Sequence, residues 1–166
     1  MPACENPQVP PDELDRNDPA DQAYDWYQRA MELLNSGNPH AALQLIDRLL
    51  ALEPNSQSVV EAYARALFDT KQYGASAMAF DLLISLAPDN DYAHFGRGLA
   101  LWRTQMFVPA RDELAMACVM RPDRVEYARA LTQVKATLAA READGLPLNG
   151  PLERQSQLDD PFGDPG

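Results

Sequence analysis

Residues 23–56 decide the fold, and they read AYDWYQRAMELLNSGNPHAALQLIDRLLALEPNS. Apolar side chains recur in this stretch every three or four positions, which is the spacing of an amphipathic helix. The spacing breaks once, at Gly37-Asn38-Pro39, where glycine suits the end of one helix and proline suits the first turn of the next. The stretch therefore predicts two helices joined by a tight turn.

The same pattern returns twice, at an interval of 34 residues. Pro54, Pro88 and Pro122 stand at that interval. So do three sets of small or branched residues: Ala30, Ala64 and Gly98; Leu33, Leu67 and Leu101; and Ala42, Ser76 and Ala110. A fixed period indicates helical hairpins that bury their apolar faces against one another. We expect three such repeats, with the bounds 23–56, 57–90 and 91–124.

The residues after the third repeat continue the pattern of a first helix. Residues 125–141, which read VEYARALTQVKATLAAR, have the same helical spacing without a second helix after them. A stack of repeats leaves an apolar face open at its end, and a terminal helix with a polar outer side can cover that face. We therefore expect seven helices, arranged as three hairpins and a C-terminal capping helix.

Two acidic, proline-rich segments flank the repeats. The chain of 166 residues has a formal charge of −11, and residues 1–20 and 143–166 each contain five acids and one arginine. These two segments also hold nine of the 14 prolines. Such a composition cannot bury enough apolar surface to offset the entropy lost on ordering. We expect both segments to be disordered and residues 21–142 to form the repeat domain.

Charge and cysteine content disfavour several classes of partner and compartment. Binding to nucleic acids and anionic lipids relies on clustered Lys and Arg, whereas this chain has 14 basic and 25 acidic residues. Cys4 and Cys118 are spaced neither for a disulfide framework nor for a zinc site. The sequence shows no basic leader and no run of 18 apolar residues. We expect a cytoplasmic protein without a nucleic-acid partner and without membrane insertion.

The sequence offers no set of residues suited to catalysis. His40 and His94 lie in different repeats, 54 residues apart. There is no glycine-rich phosphate loop, no nucleophile elbow and no spacing of metal ligands. His94 is better explained as a helix-packing residue than as a base. We expect no enzymatic activity, no metal site and no cofactor.

The three segments resemble tetratricopeptide repeats. In the first repeat the signature places of that family are held by Trp26, Ala30, Leu33, Gly37, Ala42, Ile46 and Pro54. The resemblance covers roughly residues 23–141, with departures at Lys71 and Gln105, which replace the turn glycine, and at Arg29 and Arg97, where an apolar residue is common. It implies an all-α, right-handed superhelical solenoid whose concave face binds a peptide or helix of another protein.

The resemblance implies no particular partner, and two alternatives to an adaptor remain. In size, repeat number and acidity the chain is also similar to small repeat-type secretion chaperones, which mask hydrophobic translocator proteins. It could instead be a self-assembling structural module, filled by another copy or by its own tail. For that case the C-terminal segment LDDPFGDPG, residues 158–166, offers Phe162 among acids, and Arg103 and Arg129 could meet it.

The first helices carry an aromatic ridge on the face opposite the core. In the first repeat the core face holds Trp26, Ala30 and Leu33, and the 34-residue shift carries the opposite face into the other repeats. The predicted groove residues are Tyr24, Tyr27, Met31, Leu34, Arg65, Phe68, Tyr92, Phe95, Leu99, Trp102 and Arg103. An exposed apolar ridge is typical of a binding surface, although single members could pack between neighbouring helices. We expect an apolar or amphipathic segment of a protein partner to bind there.

Charged residues on this face narrow the choice of ligand. Glu61, Arg65 and Asp69 have the spacing of an intrahelical ion ladder, whereas Arg103 has no acid three or four residues away and is a candidate for a ligand carboxylate. Co-chaperones of the resembled family hold the acidic C-termini of heat-shock chaperones through Lys, Asn and Arg in the groove. Here the matching positions are Tyr27, Met31, Ala62, Tyr92 and Gly96. We therefore expect a different class of ligand.

Overall fold

The computed structural model describes residues 19–152, and this part of the chain consists of seven α-helices without a strand. The helices are α1 Pro19–Asn35, α2 Pro39–Leu52, α3 Gln57–Asp69, α4 Tyr73–Leu86, α5 Asp91–Arg103, α6 Phe107–Met120 and α7 Val125–Ala143. The predicted all-α class and the predicted number of helices are confirmed.

Three turns of one geometry join α1 to α2, α3 to α4 and α5 to α6. Gly37, Lys71 and Gln105 stand at corresponding positions in these turns, with φ angles of 78°, 63° and 62°. In the first turn the N–H of Asn38 donates to the carbonyl of Leu33 over 2.8 Å, and the other two turns contain the equivalent bond. This is the Schellman arrangement, which ends a helix on a left-handed residue. The turn forms at Lys71 and Gln105 even though neither is glycine.

The helices stack so that every second one lies on the same side. Each helix packs against the next in sequence, and α1 also contacts α3, α3 contacts α5 and α5 contacts α7. The first helices of the hairpins and the terminal helix α7 therefore lie side by side and form one face. Buried apolar residues fill the space between this layer and α2, α4 and α6.

Small residues let the two helices of each hairpin approach closely. Ala64 and Ser76 are fully buried, and the hydroxyl of Ser76 donates to the carbonyl of Ala64 over 2.9 Å. In the third hairpin a Cβ added at Gly98 would lie 2.7 Å from Cγ of Leu114, which is closer than any ordinary contact. The small residues that repeat at 34-residue intervals therefore mark the contact between the two helices of a hairpin.

Some residues of the two flanking segments, for which we expected disorder, are described by the structure. They are residues 19–20 and 143–152. Helix α1 begins at Pro19, and residues 144–152 fold back onto α6 as a segment that we call the C-terminal strap. Residues 1–18 and 153–166 lie outside the described residues, and so does Phe162.

The strap is held by Arg141 and by the start of α6. The guanidinium of Arg141 donates to the carbonyls of Pro147 and Gly150 over 2.7 and 2.9 Å and lies 4.5 Å from the ring centroid of Phe107. The backbone N–H of Val108 donates to Oδ1 of Asn149 over 2.9 Å. These contacts give residues 144–152 polar partners that their composition alone does not reveal.

Candidate functional site

The face formed by α1, α3 and α5 carries three hollows in a row. The first, of about 300 Å³, lies near the start of α1 and α3. The second, of about 210 Å³, lies further along these helices, and the third, of about 190 Å³, lies between α3 and α5. Tyr27 lines the first two hollows, and Arg65 and Tyr92 line both the second and the third. The three hollows are therefore adjacent along one face, and together we call them the groove.

Most of the side chains predicted for the groove line it. The eight that do so are Tyr24, Tyr27, Met31, Arg65, Phe68, Tyr92, Phe95 and Leu99. All except Tyr24 are half-buried, so each packs against the helices on one side and faces the groove on the other. The structure thus brings these residues together, and their part in binding stays a prediction.

Leu34 is a correction to the predicted groove. Its side chain is only 4% exposed and belongs to the core cluster that contains Ala30 and Ile46. The physical reason is helical geometry, because Leu34 follows Ala30 by four residues and residues at that spacing share one face. Leu34 therefore packs inside the first hairpin and does not line the groove.

Trp102 and Arg103 lie beside the groove and line none of its three hollows. Trp102 is half-buried and packs against the core cluster shared by α6 and α7. The guanidinium of Arg103 is exposed and lies 5.6 Å from the ring centroid of Tyr73, which in turn meets the ring of Phe68 edge-on at 5.1 Å. Arg103 is thus stacked on an aromatic ring at the rim, next to the groove residue Phe68.

The floor of the third hollow comes from the second hairpin's outer helix. Phe80 of α4 is 2% exposed and lines this hollow, and its ring meets that of Tyr92 edge-on at 6.0 Å. The ring fits because Gly96 has no side chain, since a Cβ at this position would lie 2.3 Å from Cζ of Phe80.

Phe80 was not predicted for the groove, although the sequence contains a signal for it. Phe80 corresponds to Ile46 and Leu114 in the other repeats and is larger than both. Gly96 corresponds to Ala62 in the second repeat and is smaller than it. The increase at one position matches the decrease at the other.

Charged side chains on α3 are only loosely paired within the groove. Nε of Arg65 lies 3.9 Å from Oδ2 of Asp69, while its Nη2 donates to Oδ1 of Asn35 over 3.1 Å. Glu61 accepts a hydrogen bond of 3.3 Å from the side chain of Asn90. The contact between Arg65 and Asp69 is therefore worth at most about 1 kcal/mol at a half-exposed site.

The tyrosine that lines both the second and the third hollow is neutral, and burial reinforces this. It raises the pKa of the Tyr92 phenol above its ordinary value, and the positive charge of Arg65 opposes this shift only in part. Tyr92 therefore stays protonated at neutral pH and presents a hydroxyl that can both donate and accept hydrogen bonds.

Helix α7 closes the groove on the side of the third repeat. The ring of Tyr127 stacks on that of Phe95 at 4.4 Å, and its hydroxyl donates to Oδ2 of Asp91 over 2.7 Å. Burial and this hydrogen bond raise the pKa of Tyr127 well above its ordinary value. The capping helix therefore fixes the orientation of a groove residue, Phe95, as well as covering the end of the core.

His94 lies away from the groove, between α5 and α6. Its Nδ1 is 2.7 Å from Oε2 of Glu113, and its Nε2 is 3.2 Å from the carbonyl of Pro88. Glu113 also pairs with Arg97, which reaches Asp81 of α4 over 3.2 Å. This polar network ties three helices together and explains how Arg97 is accommodated where an apolar residue is common.

Two features of residues 19–152 concern metal binding and membranes. This part of the chain contains no group of three or more His, Cys, Asp or Glu side chains that could hold a metal ion. None of its helices has both the length and the apolar character that crossing a bilayer requires.

Comparison with known proteins finds one sequence family and many similar structures. The model of the tetratricopeptide repeat family matches residues 25–66. No curated protein sequence matches the chain. MamA from Desulfovibrio magneticus RS-1 is 20% identical with a TM-score of 0.69, and the match covers 74% of this chain and 70% of that chain.

Some of the similar structures contain a bound peptide. The second repeat domain of human RPAP3, in complex with the HSP70 peptide SGPTIEEVD, is 18% identical with a TM-score of 0.66, over 71% of this chain and 98% of that chain. Another is the Yersinia enterocolitica type III secretion chaperone SycD in complex with a peptide of the translocator YopD. It is 16% identical with a TM-score of 0.62, over 75% of this chain and 95% of that chain. Together with the helical hairpins that recur every 34 residues, these matches show that the chain has the fold of tetratricopeptide repeat proteins, and residues 25–66 match the sequence model of that family.

Proposed function

We propose that this chain is a non-catalytic adaptor that holds an apolar or amphipathic segment of another protein in the groove. The observation that carries the proposal is that three hollows lie in a row on one face and share Tyr27, Arg65 and Tyr92 as lining residues. The second and third hollows, of about 210 and 190 Å³, are smaller than sites for small molecules, which measure about 300–1,000 Å³. A row of small hollows suits successive side chains of a peptide better than a single compact ligand.

The similar structures support peptide binding in general terms. RPAP3 and SycD share this fold and hold peptides of other proteins. The RPAP3 peptide SGPTIEEVD has an acidic C-terminal end. In this chain the positions expected to hold such an end are Tyr27, Met31, Ala62, Tyr92 and Gly96, and none of them is basic. We therefore propose the same general mode of binding with a ligand of different chemistry.

Deleting apolar side chains from the groove tests this proposal. In Met31→Ala with Phe68→Ala, the second and third hollows each lose a wall. The matched control is Met78→Ala with Leu82→Ala, which removes similar side chains from the exposed outer side of α4. We expect the groove variant to lose at least about tenfold in affinity for partners captured from the native cell, because central apolar contacts dominate binding energy. Equal capture by both variants, with unchanged helical circular dichroism, would contradict the proposal.

The similarity to SycD in complex with a translocator peptide favours a second candidate, a chaperone for a hydrophobic client. Such a chaperone uses the same groove but forms a stable stoichiometric complex that keeps its client soluble. Co-expression with each captured partner distinguishes the two functions. A partner that is soluble only in the presence of this chain supports the chaperone, and partners that are all soluble alone support the adaptor in the cytoplasm.

A further inference from the structure

The charges that line the groove are mostly negative and evenly distributed. Glu53 lines the first hollow, Glu61 the second and Asp69 the third. Among the residues that line these three hollows, one is basic, and it is Arg65. Each hollow thus combines aromatic or aliphatic walls with one carboxylate.

Arg65 is one cation beside two carboxylates, Glu61 and Asp69, and pairs only loosely with Asp69, so a net negative charge is left there. Its Nη2 donates to Asn35, and its Nε is 3.9 Å from Asp69, beyond a good hydrogen bond. Within the described residues Glu61 accepts one hydrogen bond, from Asn90. A carboxylate has about four acceptor positions, so Glu61 and Asp69 can each accept further hydrogen bonds from a ligand.

A bound ligand changes the surroundings of these carboxylates. Apolar ligand side chains that fill the hollows remove water from Glu61 and Asp69, and a carboxylate that loses water without gaining a cation is destabilised. An acidic ligand adds repulsion to this loss. The chain's own residues 153–166 contain four acids and one arginine, so they are poorly matched to the groove.

We infer that the groove, if it binds a peptide as proposed above, selects a basic amphipathic segment. Apolar side chains of this segment fill the second and third hollows, and a lysine or arginine between them reaches Glu61 and Asp69. The formal charge of −11 also attracts a basic segment over longer distances and speeds the encounter. This inference concerns the chemistry of the partner and depends on the proposed function.

Selection from a phage-displayed library of random peptides tests the inference on the full chain. Four proteins are compared: the wild type, Met31→Ala with Phe68→Ala, Glu61→Gln with Asp69→Asn, and the control Asp47→Asn with Asp112→Asn. The control removes the same charge from exposed positions that line none of the three hollows. It therefore separates local pairing from the general attraction of a basic peptide to an acidic protein.

We expect the wild type and the control to enrich peptides that combine apolar residues with Lys or Arg. These peptides should bind the Glu61→Gln, Asp69→Asn variant about tenfold more weakly than the control. If the enriched peptides lack basic residues, or if the two charge variants bind them equally, the inference is wrong and peptide binding still stands. If no peptide prefers the wild type over Met31→Ala with Phe68→Ala, the proposed function itself is contradicted.

Discussion

At the scale of single residues, the groove owes its floor to a pair that differs from its counterparts in the other repeats. Phe80 reaches the third hollow from α4 because Gly96 leaves space for its ring. In the first hairpin the corresponding core residue is Ile46, which is smaller. Comparing residue sizes between the repeats could have revealed that Phe80 is large and Gly96 small. Periodicity alone does not, because it treats residues at 34-residue intervals as equivalent.

Gly96→Ala should destabilise the fold, because the new Cβ would lie 2.3 Å from a buried ring. Overpacking of this kind costs about 1–3 kcal/mol in the free energy of unfolding, which urea denaturation measures. Gly74→Ala is the control, since a Cβ on this helical glycine meets nothing within 4 Å and alanine favours helix. Equal stability of the two variants would contradict the close contact between Gly96 and Phe80.

Lys71→Gly should stabilise the fold, because Lys71 has a φ of 63° in the turn between α3 and α4. Left-handed backbone costs a residue with a Cβ about 1–2 kcal/mol, and part of the gain is offset by the greater freedom of glycine in the unfolded chain. We expect a net increase of about 0.5–1 kcal/mol by thermal or urea denaturation. Lys71→Ala retains the strain and should show no such increase.

At the scale of helices and turns, prediction succeeded where contacts are local. The 34-residue period and the spacing of apolar residues led to all seven helices, and the turns at Gly37, Lys71 and Gln105 follow from it. The C-terminal strap could not be predicted in this way. Its contacts join Asn149 to Val108, 41 residues earlier, and Arg141 to two backbone carbonyls, and neither contact has a periodic signature.

Arg141→Ala combined with Asn149→Ala should release the strap from α6. The change removes two charge-assisted hydrogen bonds to backbone carbonyls and a side-chain cap at the start of α6. We expect a loss of about 1–3 kcal/mol in the free energy of unfolding and faster amide hydrogen exchange at Gly150. Arg129→Ala, an exposed arginine on the same helix, serves as the control. Unchanged exchange at Gly150 would show that these contacts do not hold the strap.

At the scale of the whole molecule, the groove arises from stacking three hairpins that are not identical. Helical geometry brought eight of the eleven predicted side chains to the hollows of the groove, because the first helices present equivalent faces, and their part in binding stays a prediction. It failed for Leu34, which turns into the core, and for Trp102, which packs towards α6 and α7. The two failures have different causes. Leu34 shares a face with the core residue Ala30, which the spacing on one helix already shows, whereas the position of Trp102 depends on where α6 and α7 lie.

The binding claim is tested most directly by NMR chemical-shift mapping on the labelled full chain, with a peptide enriched by the wild type. We expect the largest changes at Met31, Phe68 and Tyr92 in the groove, and little change at Met78 and Leu82 on the outer side of α4. Met31→Ala with Phe68→Ala should remove these changes while the remaining spectrum stays that of a folded helical protein. Changes centred on Met78 and Leu82, or changes that persist in this variant, would contradict binding in the groove.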